Sequence, residues 1–209
     1  MSLYGRIFAA RYDSVFARAE RGGLSEMRGR VVSRAQGRTL ELGAGTGLNL
    51  KHYPRDGIEL TLTEPEEPMA RLLEERVRSE RPGTKVIRAP AEHLPFDAGS
   101  FESIVATLVL CTVSDQAAAL AEIRRVLKPE GSVLFLEHVR SDQARVARVQ
   151  DLIQPLWIHI GHGCHCNLDT LSSLRRAGFD VKDLEHAQLP AAPGFVRPLI
   201  IGSATPTAS

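Results

Sequence analysis

The sequence predicts an α/β protein, a mostly parallel β-sheet with helices on both faces. Three observations carry this. Strand-like and helix-like segments alternate from residue 38 to residue 140. "FESIVATLVL" (101–110) is nearly all apolar toward its end, as a strand covered on both faces must be, and "SVLFLEHV" (132–139) reads as another buried strand. The first strand, "TLEL" (39–42), runs directly into "GAGTG", with three glycines in five positions.

Residues 1–37 read as helical. Tyr4, Phe8, Tyr12 and Phe16 recur every fourth position and share one helix face. Packing on the core is the simpler reading of that stripe. A helical lid over a pocket is the functional one, with Tyr4 and Tyr12 as candidate substrate contacts. "IELTLTE" (58–64) is a second strand, rich in β-branched residues. "PMARLLEERVRSE" (68–80) is an amphipathic helix stopped by "RPG", and "KVIRA" (85–89) is a short third strand. "SDQAAALAEIRRVLKPEG" (114–131) is a helix capped by Ser114 and stopped at Pro129 and Gly131. Residues 141–167 interrupt the alternation and read as an insertion capping the sheet. "LDTLSSLRRAGF" (168–179) is a short helix ending at Gly178. "DVKDLEHAQL" (180–189) and "FVRPLIIGSA" (195–204) are two strands joined by a Pro/Gly-rich loop. They form a hairpin at the sheet edge, giving seven strands with an antiparallel C-terminal edge strand. The whole of 1–209 is expected to be one domain.

Composition narrows the function. A formal net charge of +1 lacks the basic excess of a general nucleic-acid binder. No apolar stretch approaches the length of a membrane span. The start lacks the basic-then-apolar plan of a secretion signal. Three cysteines are too few for a disulfide framework. The expectation is a cytoplasmic protein, monomer or homodimer, acting on a small molecule.

In an open parallel sheet, ligands bind beyond the C-terminal strand ends. Gly43, Gly45 and Gly47 follow such an end, where a missing side chain lets a ligand approach the backbone. The spacing is G-x-G-x-G, so the third glycine is one place early for the dinucleotide fingerprint. The phosphate-loop G-K-[ST] is absent. The second strand ends in Glu64, about twenty residues on, where an acid can accept both ribose hydroxyls.

"LELGAGTGLN", "EP", "AEHLPFDAGSFESIVATLVL" and "RRVLKPEGSVLFLEH" resemble, in order and in spacing, the motifs of the class I S-adenosylmethionine-dependent methyltransferases. The likeness covers about residues 38–140 and is strongest to the ubiquinone/menaquinone-methyltransferase branch. It implies a Rossmann-like fold, S-adenosyl-L-methionine as cofactor and S-adenosyl-L-homocysteine as product. It puts Gly43, Ala44, Gly45, Gly47 and Asn49 around the methionine part, with Glu41 oriented toward it. Glu64, followed by Pro65, would hold the ribose. Ala91 and Glu92 would lie beside the adenine, and Thr107 and Leu108 would flank the methionine part. Relatives often carry an aspartate where this chain has Pro90, so either Glu92 or a backbone carbonyl takes that role, or the adenine is held mainly by packing.

"PLWIHIGHGCHCNLDTLSSLRRAGF" (155–179) gathers His159, His162, Cys164, His165 and Cys166 behind Trp157. Their spacing fits no usual zinc finger or ribbon, so no metal is expected. With "TLVLCTV", "LEHV" and "LEHAQLPA...RPLIIGSA", the stretch resembles the methyltransferase-like seven proteins, which are thiol S-methyltransferases. Their apolar membrane-anchoring N-terminus has no counterpart in residues 1–37, so a soluble bacterial-type relative is expected. The resemblance implies a thiol acceptor. His138, or one of His162 and His165, would polarise or deprotonate it. Trp157, Cys164 and Arg197 would line its pocket, with Glu137 a further wall candidate, and Cys111 reads as a small buried residue. The competing readings are an O- or C-methyltransferase acting on a quinol or phenol, a non-catalytic cofactor-binding module, and a dehydrogenase.

Overall fold

The computed structural model describes residues 3–207, with side chains from residue 9 onward. Seven strands form one sheet: β1 (Gly37–Leu42), β2 (Ile58–Thr63), β3 (Lys85–Ile87), β4 (Phe101–Thr107), β5 (Leu127–His138), β6 (Phe179–Gln188) and β7 (Pro198–Pro206). Their order is β3-β2-β1-β4-β5-β7-β6. β1 to β5 pair in parallel, while β7 runs antiparallel to both β5 and β6. The C-terminal hairpin therefore closes the sheet as expected, with β7 one place in from the edge and β6 outermost. The helices are α1 (Leu3–Ala19), α2 (Ser25–Val32), α3 (Glu67–Glu80), α4 (Gln116–Val126), α5 (Ala144–Ile160) and α6 (Thr170–Arg176). α1 and α2 are joined by a π-helical turn over Glu20–Leu24.

The unbroken apolar runs are explained by the two faces they serve. In β4, Ile104 and Ala106 pack with Leu120, Ile123 and Val126 of α4. Val105, between them, packs with Val31 and Val32 of α2 and Leu73 and Val77 of α3. β5 repeats the pattern, with Val133 and Phe135 on the first face and Leu134 and Leu136 on the second. Each such Val, Leu, Ile or Phe side chain contributes about 1.5–3 kcal/mol by leaving water.

Three boundaries around β4 and α4 differ from expectation. β4 ends at Thr107, because Leu108 adopts φ 59°. The chain then turns, and the buried Glu137 carboxylate accepts the N–H groups of Val109 and Leu110 (3.0 Å each) and of Cys111 (3.4 Å). The cap of α4 is Asp115, which accepts from the N–H groups of Ala117 and Ala118, and not Ser114. That helix stops at Val126, earlier than Pro129. Pro129 disfavours helix at Lys128, and the buried Leu127 is drawn into pairing with Phe101.

Strand order reverses between β1 and β4. Their C-terminal ends are where an open α/β sheet offers a crevice.

Candidate active site

A cavity of about 860 Å³ opens at this reversal point. One end is walled by the glycine turn, and there the backbone geometry follows from the residue types. Gly43 has φ 53°, and a Cβ there would stand 2.4 Å from Val109 Cγ2. Gly45 has φ 58°, and a Cβ there would come only into ordinary contact with the Tyr12 ring at 3.9 Å. The first glycine lets the β4 loop close against the turn, and the second leaves the backbone bare toward the cavity. Glu64, just past β2, accepts the Gly45 N–H on Oε2 and the Glu66 N–H on Oε1, both at 2.9 Å. Burial raises its pKa, and those two backbone bonds oppose the rise. The result is a carboxylate fixed in orientation on the wall, with lone pairs left for a ligand. Pro65, Met69, Ala91, Glu92, Leu108 and Val113 complete this end. Glu92 spends Oε1 on the N–H groups of Ser114 (2.7 Å) and Asp115 (3.2 Å). A bare turn, a fixed acceptor pair and an apolar slot fit a nucleoside bearing positive charge.

Several predicted contacts stand behind that wall instead of on it. Glu41, Asn49 and Thr107 belong to a buried network centred on Arg28. Arg28 donates to Glu20 (2.9 Å), Asn49 (3.2 Å) and Thr107 (3.0 Å). Asn49 donates to Glu41 and Thr107, both at 2.8 Å, and Tyr53 donates to Glu41 at 2.8 Å. Burial lifts the Glu41 pKa to about 7, against the bonds from Tyr53 and Asn49. Both Glu41 oxygens accept bonds inside the protein, one from Asn49 and one from Tyr53. Ala44 ties the turn to β2 through the Thr63 carbonyl (2.8 Å), and Gly47 packs against Leu50 and Leu73.

The other end of the cavity is built from distant segments. Cys111 follows β4, His138 ends β5, and Cys164 follows α5. All three are buried and line the cavity. His138 Nδ1 lies 3.4 Å from Cys164 Sγ, which lies 3.9 Å from Cys111 Sγ. The contacts from Cys111 and His138 lower the Cys164 pKa against burial, while the shared contact and burial raise that of Cys111. Trp157 and His162 line the same end, and burial lowers the His162 pKa, favouring its neutral ring. Tyr12 and Phe16 close over the cavity as a pair with ring centroids 4.7 Å apart. α1 is pinned there by Asp13, which accepts from Thr46 Oγ1 (2.5 Å) and from Arg76. The side chain of Tyr4 lies outside the described residues.

Two candidates lie away from this cavity. His165 lies off the cavity wall: its ring meets Gln154 at 3.2 Å, and its N–H joins the two cysteine loops through the Cys111 carbonyl (2.7 Å). Arg197 is exposed, held by the Ala192 carbonyl (2.8 Å), and lines a separate, smaller cavity. Cys111, read only as packing, reaches the site. Asp13 and Arg28 left no signal in the sequence, being ordinary charged residues of surface-like helices.

Comparison with known proteins bears on this geometry. Residues 40–135 match the family model described as a methyltransferase domain. The rat thiol S-methyltransferase TMT1B is 36% identical over 169 residues, covering 79% of this chain and 69% of that protein. Human TMT1B is 34% identical over 184 residues, covering 86% and 75%. The chain belongs to this family of S-adenosylmethionine-dependent methyltransferases. The crystal structure of an S-adenosylmethionine-dependent methyltransferase from Thermotoga maritima shares the fold, with a TM-score of 0.72 at 22% identity, covering 97% of this chain and 98% of that one. The methyltransferase therefore uses S-adenosylmethionine, and the bare turn beside Glu64 fits that cofactor.

Proposed function

We propose that this methyltransferase moves the methyl group onto the sulfur of a small thiol. The observation that carries the proposal is the chemistry of the cavity's far end, where Cys111, His138 and Cys164 meet among the apolar surfaces of Trp157, Leu189 and Val196. The two relatives named thiol S-methyltransferases support it.

S-adenosylmethionine supplies a methyl group on a positively charged sulfur, open to in-line displacement. In this reading Glu64 accepts the ribose hydroxyls, and Gly43 and Gly45 admit the methionine part. Ala91 and Glu92 flank the adenine, Pro90 leaving that contact to packing and to Glu92. Tyr12 and Trp157 hold the acceptor in line and exclude water, with α1 as the wall on the open side. A thiol requires alignment and loss of its proton, and His138 is placed to polarise that proton.

Purified protein given donor labelled in the methyl group, with a panel of thiols, phenols, quinols and amines, should label sulfur. Label confined to oxygen or nitrogen would reject the thiol acceptor.

A further inference from the structure

We propose that Cys111, His138 and Cys164 form a zinc site whose fourth position faces the acceptor, so that the thiol is activated as a ligand of the metal. This rests on the thiol reading for its catalytic role, but not for the presence of the metal.

The donor atoms of the three residues lie within 4.8 Å of one another. The two resolved separations are 3.4 Å for nitrogen to sulfur and 3.9 Å for sulfur to sulfur. A tetrahedral zinc, with Zn–S of about 2.3 Å and Zn–N of about 2.0–2.1 Å, spaces such pairs about 3.5 Å and about 3.8 Å apart. Two of the cluster's three edges already match those such an ion requires, and the third lies within 4.8 Å. All three cysteines of the chain are free thiols, so neither sulfur is taken by a disulfide.

The backbone around the cluster is held firmly. Glu137 accepts three successive N–H groups ending at Cys111, and the His165 N–H reaches the Cys111 carbonyl. The spacing argument against a metal applied to residues of one loop. The structure instead joins residues from three, which no local pattern shows. Three protein ligands and an open position are the plan of a catalytic zinc site.

The chemistry balances without a redox step. The acceptor thiol displaces a water from the metal, binds through sulfur and gives its proton to solvent. A lone pair of that sulfur then forms the new S–CH₃ bond as the donor's S–CH₃ bond breaks, its electron pair staying on the donor sulfur. The thioether product carries no charge and binds zinc weakly, so it leaves. With the metal bound, His138 acts on the thiol through the metal, in place of polarising its proton directly.

The test is cobalt substitution of the fully reduced, full-length protein. Co²⁺ should bind at about one equivalent per chain with thiolate-to-cobalt charge-transfer absorption and the visible bands of a tetrahedral site. Zn²⁺ should displace it. Cys111→Ser and Cys164→Ser should each lose much of the charge-transfer intensity, while Cys166→Ser, outside the cluster, should keep it. Absence of charge-transfer absorption in wild type with an intact circular dichroism spectrum overturns the site, as does full intensity in both cluster variants. If a cluster variant unfolds, His138→Gln, which leaves both sulfurs in place, should shift the visible bands. Unchanged bands overturn histidine ligation. Adding the acceptor thiol should perturb the spectrum, and no perturbation removes the catalytic role. Metal bound while label appears only on oxygen would sink the thiol reading and leave the site standing.

Discussion

At the end of the cavity that we propose takes the donor, the glycine turn and Glu64 sit at the ends of β1 and β2. Gly43 follows the last paired residues of β1, Ala44 is tied to the Thr63 carbonyl, and Gly45 donates to Glu64. At the acceptor end, Tyr12, Cys111, His138, Trp157 and Cys164 come from five segments spread over more than 150 residues and meet only once the sheet is closed. One end is a local backbone device, and the other is a product of tertiary packing. The donor end should therefore tolerate changes at the acceptor end, whereas changes that move the β4 loop should disturb both.

The sharpest separation comes from His138. His138→Ala should lower turnover about a hundredfold, the range expected for a group that activates a nucleophile, with KM for the donor nearly unchanged. A steady-state assay with saturating thiol reads both. If KM for the donor moves as far as turnover, the two ends are not separable.

Gly43→Ala should break the comparison. The new Cβ needs φ 53° and collides with Val109, whose loop carries Cys111. Strain of both kinds predicts a loss of about 2–4 kcal/mol. Denaturant unfolding should show it, together with weakened donor binding and weakened turnover. Gly45→Ala, which carries the strain of φ 58° but no collision, should cost less stability.

The smallest effect concerns the support beneath the site. Burial raises the Glu41 pKa to about 7 in the folded state, above its ordinary value of 4.5. The folded protein thus holds a proton that the unfolded chain releases, and stability falls as pH rises across that window. The slope is at most about 1.4 kcal/mol per pH unit from this residue. Glu41→Gln should flatten the dependence of the denaturation midpoint between pH 5 and 7. Glu137, also lifted to about 7 by burial, leaves part of the slope. An unchanged slope in Glu41→Gln would mean that Glu41 stays ionised in the folded protein.

What could be seen in the sequence follows the same division. The order of strands and helices was legible because apolar runs and glycines report local geometry. "TLEL" before "GAGTG", with Glu64 at the next strand end, pointed to the turn and its acid. The end of β4 was hidden, because it depends on Glu137 reaching across from β5 to take three N–H groups. The network of Arg28, Asn49 and Thr107 was hidden for the same reason: its partners are 21 and 79 residues from Arg28. At the acceptor end, the histidine-rich loop drew attention to His165, yet what decides the site is Cys111, more than 50 residues earlier and unremarkable by type.

Calorimetry of S-adenosylhomocysteine binding, run side by side on wild type, Glu64→Ala and His138→Ala, tests the division most directly. Loss of a charged acceptor should weaken Glu64→Ala by about 2 kcal/mol, roughly thirtyfold, and leave His138→Ala within about twofold of wild type. Unchanged affinity in Glu64→Ala, or an equal loss in His138→Ala, would contradict it.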